Sequence, residues 1–342
     1  RILEESFSTV QDWIALQTDE SPEGIRISKE GWGDWLAPGY AAEAAPTPYV
    51  LIATAYYGYS TQLAAQIAEV LEQPEIARDY WALWAKIKAA FNREFITPDG
   101  RITSDEQTAY LLALGFDLVT DDLRPAMTGN LERAVAEKDN HLSTGFLGTP
   151  LLTPVLTEVG RADLAYTVLQ QQTYPGWLFS VKNGATTIWE RWDSWTPEVG
   201  FNPDGMNSFN HYAYGSVVGW FYDTIAGLSP MASAPGWQQF NIAPIPGGNL
   251  TYAKASLETP HGLAASHWRL VDGNFELDVT IPTNTTAHVT LPAIEATRIT
   301  MDGQQLNEVL QISELKQSNA EVSFCLSSGT YSFTVTSPLA SS

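Results

Sequence analysis

The chain has 342 residues, of which 44% are hydrophobic and 17% charged. This is enough apolar mass for one large domain and a smaller one, in a pattern that excludes disorder. Its 39 acidic residues against 18 basic ones give a formal net charge of −21, which excludes nucleic acid and anionic membrane surfaces as partners, since both need a basic face. The single cysteine, Cys325, excludes an internal disulfide, and no apolar run reaches the ~18 residues of a transmembrane helix.

The first two-thirds of the chain read as helical. Leu3, Phe7, Val10 and Ile14 share one helical face from the start, with no capping residue ahead of them and no signal-peptide character, so the chain is expected to begin inside or against a helix. Residues 47–73 form the next candidate, with Pro48 at an early helical position and Leu63, Ile67, Val70 and Leu71 spaced for one side. Pro74 breaks that pattern, and residues 75–95 resume it through Ile76, Tyr80, Leu83, Trp84, Ile87 and Phe91. After the Asp99-Gly100 turn come helices over 105–118, 121–138, 149–159 and 161–172, then one over 208–227 closed by Gly227. About eight helices joined by short loops point to an α/α solenoid, bundle or toroid.

The pattern changes after Pro230. Segments 250–257, 263–271, 274–281, 286–291, 296–301, 321–326 and 330–336 are short and rich in β-branched and aromatic residues. Asp272-Gly273 and Asp302-Gly303 are hairpin pairs, and Pro282-Thr283-Asn284 reads as a turn. An antiparallel β-sandwich follows from this alternation, with a tail from Pro338 that is expected to be loose. The expected division is residues 1–230, helical, and residues 231–342, sandwich.

The chemistry-bearing residues lie in the helical part. There is no HExxH, CxxC or clustered His/Asp spacing, no phosphate loop and no GxSxG elbow, so neither a metal, a nucleotide cofactor nor a nucleophilic serine is expected. The 12 Trp and 14 Tyr fit a carbohydrate site, where rings stack on sugar C–H faces, as well as ordinary core packing. Three stretches favour the sugar site. Gly31-Trp32-Gly33-Asp34-Trp35-Leu36-Ala37-Pro38-Gly39 is a loop carrying two Trp and a carboxylate able to accept from sugar hydroxyls. In Trp189-Glu190-Arg191, apolar rings disfavour the charged carboxylate while the guanidinium favours it, the balance a water-activating base requires, although an Arg191 ion pair would explain the same residues. In Ser208-Phe209-Asn210-His211-Tyr212-Ala213-Tyr214-Gly215, Ser208 is a candidate cap, with His211, Tyr214 and Gly215 on one face of the helix behind it. A fourth stretch, His141 to Pro150, reads as a conformationally specific loop whose role the residues do not reveal.

GDWLAPG at 33–39, HLSTGFLGTP at 141–150, GATTIWERWDSW at 184–195 and MNSFNHYAYGSV at 206–217 together resemble, in this order, the family 78 glycoside hydrolases, the α-L-rhamnosidases. The resemblance implies an (α/α)6 barrel followed by a C-terminal β-sandwich, and inverting hydrolysis of terminal α-L-rhamnose from glycosides or polysaccharides, without a cofactor. By motif it makes Glu190 the general base, His211 a rhamnose-site residue and Trp35 an aromatic contact; Asp34 and Trp189 join them as neighbours. No segment resembles the family's general-acid motif, and about eight helices fall short of twelve. The barrel is therefore expected to be incomplete at its N-terminal side and the chain catalytically incomplete alone, acting as an oligomer or with a missing N-terminal portion. The competing readings are a non-catalytic carbohydrate-binding protein on the same scaffold and another α/α-toroid glycoside hydrolase. Turnover of an aryl rhamnoside discriminates the first, and a panel of rhamnosides, glucosides and fucosides the second.

Overall fold

The computed structural model describes residues 1–27, 31–41, 44–293, 295–318 and 320–336; the tail from Pro338 lies outside the described residues. The chain divides into two compact units, Arg1–Gly215 and Ser216–Ser342.

The first unit is helical: α1 (Ile2–Asp19), α2 (Tyr49–Val70), α3 (Pro74–Phe95), α4 (Gln107–Gly115), α5 (Arg124–Ala136), α6 (Thr149–Glu158), α7 (Ala162–Leu169) and α8 (Trp177–Lys182). The first seven fall on segments expected to be helical, while the six-residue α8, which was not expected, is too short to show a period. Pro74 stands in the first turn of α3, where its missing N–H costs nothing, so one proline ends a helical run and starts the next. Phe7, Ala68 and Ala77 form a small core where α1, α2 and α3 meet, flanked by Val10, Ile67, Leu71, Ile76 and Tyr80. Helix α4 is buried at every position from Gln107 to Leu114, so it serves as an inner element with no solvent face. Its first residue, Gln107, spends its amide on a loop: Nε2 donates to the His141 and Ala134 carbonyls, and Oε1 accepts from Ser143 N at 2.9 Å. The 141–148 loop is thereby pinned to the core rather than left on the surface.

The helix expected from Ser208 is corrected by the structure. Helical geometry starts only at Ala213, as a 3-10 turn (Ala213–Ser216), and continues through α9 (Val217–Trp220) into a π-helical turn (Phe221–Ile225). Residues 208–211 instead run beside 188–190, with Glu190 N donating to Ser208 O and His211 N to Ile188 O, both at 2.9 Å. This cross-segment pairing consumes the backbone groups that a helix would have used. Ahead of it, β1 (Trp195–Thr196) and β2 (Gly200–Phe201) form a short antiparallel pair.

The second unit holds β3 (Leu228–Pro230), β4 (Gln239–Ile242), β5 (Tyr252–Thr259), β6 (Gly262–Val271), β7 (Asn274–Leu291), β8 (Ile299–Met301), β9 (Gln304–Gln305), β10 (Ile312–Gln317) and β11 (Val322–Val335). Two pairs of expected strands are single long ones, β7 and β11. The turn read at Pro282-Thr283-Asn284 is a bend inside β7, held by Thr285 Oγ1 donating to Pro282 O at 2.7 Å. β7 and β11 pair antiparallel along their lengths, with a register break between Ser327 and Gly329. Residues 274–280 of β7 carry β6, and residues 286–289 carry β4 in parallel. Residues 333–335 of β11 carry β8, and its first half carries β10. Phe324 and Phe333, nine positions apart on β11, would be separated by roughly 30 Å along a straight strand, yet their rings lie 5.6 Å apart. The sheet therefore folds over on itself into the expected sandwich. Phe275, Leu277, Val279, Ile281, Ala287, Val289, Leu291, Val322, Phe324, Leu326, Phe333 and Val335 fill its interior. Trp268 is fully buried there and donates its indole N–H to Ile225 O at 2.6 Å.

Candidate active site

Glu190 is 8% exposed, and two bonds fix it. Its N–H donates to Ser208 O at 2.9 Å, and Ser208 N donates back to Glu190 Oε2 at 2.8 Å. Oε1 has no hydrogen-bond partner among the described residues. One carboxylate oxygen is thus committed to orientation and the other remains available to a ligand. Arg191 does not pair with it: the guanidinium reaches Asp193 at 3.3 Å and Asp204 at 3.4 Å. Ser208, expected to cap a helix, serves as the clamp on Glu190.

His211 is joined to the same segment through its N–H to Ile188 O. Its Nδ1 accepts from Ala213 N at 3.3 Å, so the neutral ring carries its proton on Nε2. Phe146 lies against the imidazole, with ring centroids 5.0 Å apart and planes 28° from parallel. The same ring meets Tyr214 edge-on at 5.2 Å, and Tyr214 stacks on Trp192 at 4.0 Å. The Tyr214 hydroxyl donates to Leu36 O at 3.2 Å, and burial holds it well above the ordinary tyrosine range. Trp35 is half-buried, its carbonyl accepting from Phe146 N at 2.9 Å and its ring edge-on to the exposed Trp32 at 5.4 Å. The structure thus links Glu190, His211 and Trp35 through the 208–211 pairing and Phe146. Phe146 itself carried no signal in the sequence beyond its place between Gly145 and Gly148 in the loop singled out at 141–150.

Two further expectations change. Trp189 is 7% exposed and packs edge-on to Phe209 at 5.3 Å, which leaves it little surface for a sugar. Asp34, read as an acceptor for sugar hydroxyls, is 1% exposed. Both its oxygens are occupied: Oδ1 by Leu147 N and Gly148 N at 2.8 and 3.1 Å, and Oδ2 by Gly145 N and Thr108 Oγ1 at 2.8 and 2.5 Å. Burial pushes this carboxyl above its usual range, with the four donors pulling the other way. It has neither the exposure nor a free lone-pair direction for substrate.

A cavity of about 150 Å³ opens beside this cluster, lined by Leu36 to Tyr40, Tyr174, Arg191, Trp192 and Asp193. Glu190, Trp35 and His211 are not among its walls. Among the described residues no group of three or more His, Cys, Asp or Glu could hold a metal ion, and no helix is long and apolar enough to cross a membrane.

Comparison with known proteins agrees with this architecture. The family model for the bacterial α-L-rhamnosidase 6-hairpin glycosidase domain matches residues 1–225, and that for the bacterial α-L-rhamnosidase C-terminal domain matches residues 227–306. An α-L-rhamnosidase of Formosa agariphila is 38% identical over 97% of this chain and 36% of its own length. One from Streptomyces avermitilis is 42% identical over 87% of this chain and 28% of its own. The crystal structure of a Streptomyces avermitilis α-L-rhamnosidase complexed with L-rhamnose superposes with a TM-score of 0.88 at 39% identity, over 98% of this chain and 31% of that one. The chain spans about a third of the length of these relatives. With a helical hairpin domain, a β-sandwich after it, and both family models in that order, the chain belongs to the bacterial α-L-rhamnosidase family.

Proposed function

We propose that the protein carrying this chain removes terminal α-L-rhamnose from glycosides by inverting hydrolysis, with Glu190 as the general base. The observation that carries this reading is the division of labour on Glu190: Oε2 is clamped by Ser208 N, and Oε1 has no hydrogen-bond partner among the described residues. A base must hold one water in a fixed direction, and a carboxylate tied by one oxygen does so with the other. His211, with Nε2–H unengaged among the described residues, is the donor proposed to hold a ring hydroxyl, and Trp35 the surface on which the sugar rests. Inversion requires a second carboxyl group roughly 6.5–9.5 Å from the base, protonating the leaving oxygen while water attacks from the other face. This reading assigns that acid to another part of the whole protein. Residues 1–230 are read as the catalytic domain and 231–342 as a support without catalytic groups, with 216–230 packed in the second compact unit.

The test is Glu190→Gln in the whole protein. The amide is nearly isosteric and still accepts from Ser208 N. Turnover of an aryl α-L-rhamnoside is expected to fall by about two orders of magnitude or more, as for loss of a general base, with L-rhamnose affinity retained. Near-wild-type turnover would assign the base elsewhere. Proton NMR of the first-formed sugar is expected to show the β-anomer; an initial α-anomer would refute inversion.

A further inference from the structure

The motif residue left without a ligand role is Asp34, and its surroundings give it a different one. Four hydrogen bonds converge on a carboxylate that is almost wholly buried, three of them from backbone N–H groups more than a hundred positions away in sequence. Leu147 and Gly148 are the last residues before α6, so the carboxylate satisfies N–H groups at that helix's start and sits at the positive end of its dipole. The two strands of chain also touch directly. A Cβ on Gly145 would lie 2.3 Å from Trp35 O and 2.4 Å from Asp34 O, and one on Gly148 would lie 2.2 Å from Thr108 Oγ1, so only glycine permits the approach. Between these glycines stands Phe146, whose N–H donates to Trp35 O and whose ring backs His211.

We propose that Asp34 is a positioning residue for the rhamnoside site: its carboxylate locks the 145–148 loop to the Asp34–Trp35 segment and thereby fixes Phe146 behind His211. This rests on the reading of His211 as a sugar-binding residue. The requirement is for a carboxylate specifically. Its neighbours present three N–H donors that cannot reverse and one hydroxyl that can, so an amide in the same place turns a donor toward at least one loop N–H. A carboxyl group this deep is tolerated because hydrogen bonds occupy both oxygens.

The experiment compares Asp34→Asn, Phe146→Leu and the double variant in the whole protein. The readouts are L-rhamnose affinity by calorimetry, KM and kcat on an aryl α-L-rhamnoside, and the crystal structure of Asp34→Asn. Asp34→Asn is expected to raise the rhamnose Kd and KM about tenfold, the scale of one or two lost hydrogen bonds, with kcat changing less. The double variant is expected to be no weaker than the worse single variant, because one residue acts through the other. The crystal structure is expected to show Phe146 displaced from His211 by about 1 Å or more, enough to disturb binding geometry. A folded Asp34→Asn protein with unchanged affinity and KM, or additive losses in the double variant, overturns the proposal. Should Asp34→Asn fail to fold, Thr108→Val, which removes one of the four bonds and leaves the loop N–H groups intact, carries the same cycle. A threefold rise in Kd that is non-additive with Phe146→Leu supports the proposal, and an unchanged Kd refutes it. If the wild-type protein binds no rhamnose, the functional reading fails, and the position of Phe146 in the crystal structure decides the role of Asp34 alone.

Discussion

Trp177 is tied to the site by its indole nitrogen, which donates to Tyr214 O at 2.8 Å, while its ring meets Trp192 edge-on at 5.3 Å. Both residues are buried, so the carbonyl has no ready alternative partner. Trp177→Phe keeps most of the apolar area and removes the donor. It is expected to cost about 1–3 kcal/mol, the penalty for a stranded buried acceptor, measured by urea denaturation. A loss below about 0.5 kcal/mol, within the range of ordinary surface changes, would mean that the carbonyl finds another donor. At this scale the sequence offered candidates where side chains cluster locally: a Glu between Trp189 and Arg191, and a His among Asn and Tyr, and the structure joins their two segments by backbone hydrogen bonds. It was uninformative where the partner is distant backbone. Asp34 gave the same signal as a sugar-binding carboxylate, because hydrogen bonds from Gly145, Leu147 and Gly148 leave no pattern in side-chain identity. Arg191 showed the reverse case, a neighbour in sequence that turns to Asp193 and Asp204.

Helices α5 and α7 are joined by one residue between them. Arg161 makes two bonds of 2.9 Å to Asp163 at the start of α7 and also pairs with Glu132 in α5. The Arg161 guanidinium hydrogen-bonded to Asp163 holds that carboxyl below the usual aspartate range. A carboxyl lowered in the folded state stabilises the protein above its unfolded value and loses that contribution as pH falls through the lowered value. Asp163→Asn is therefore expected to be less stable than wild type at pH 7 by about 0.5 kcal/mol, the scale of a solvent-screened pair. The difference is expected to vanish in the acid range below the ordinary aspartate value of about 3.9. Thermal melts of both proteins across pH check it, and a gap that persists in acid would place the effect outside this ion pair. Periodicity located α1 to α3, where one apolar face repeats over several turns, while α4, buried at every position from Gln107 to Leu114, shows no such face. It failed from Ser208 to Tyr212, where an equally helical pattern is overruled by pairing with 188–190, a long-range competitor invisible to local spacing. In the β region, alternation found β5 to β8 and β11 but missed the short β3, β4 and β9 and the mostly exposed β10, and it could not tell a turn at Pro282 from a bend within one strand.

Across the whole molecule, the net charge of −21 is a repulsive load on any compact state. Raising ionic strength from about 0.01 to 0.15 M shortens the screening length from ~30 to ~8 Å, and the melting temperature is expected to rise over that interval. A fall would mean that specific ion pairs, such as those of Arg161 and Arg133, outweigh the general repulsion. The paired strands β7 and β11 carry a different consequence. Each supplies a central strand to both layers of the sandwich, so neither layer has a middle until both are present. On the ribosome, β3 to β6 and β7 emerge early, yet the cross-strand partner of β7, Val322–Val335, is made last among the described strands. Closure of the sandwich must wait for that segment, and a chain interrupted ahead of Val322 would leave two open half-sheets with exposed edges rather than one finished layer.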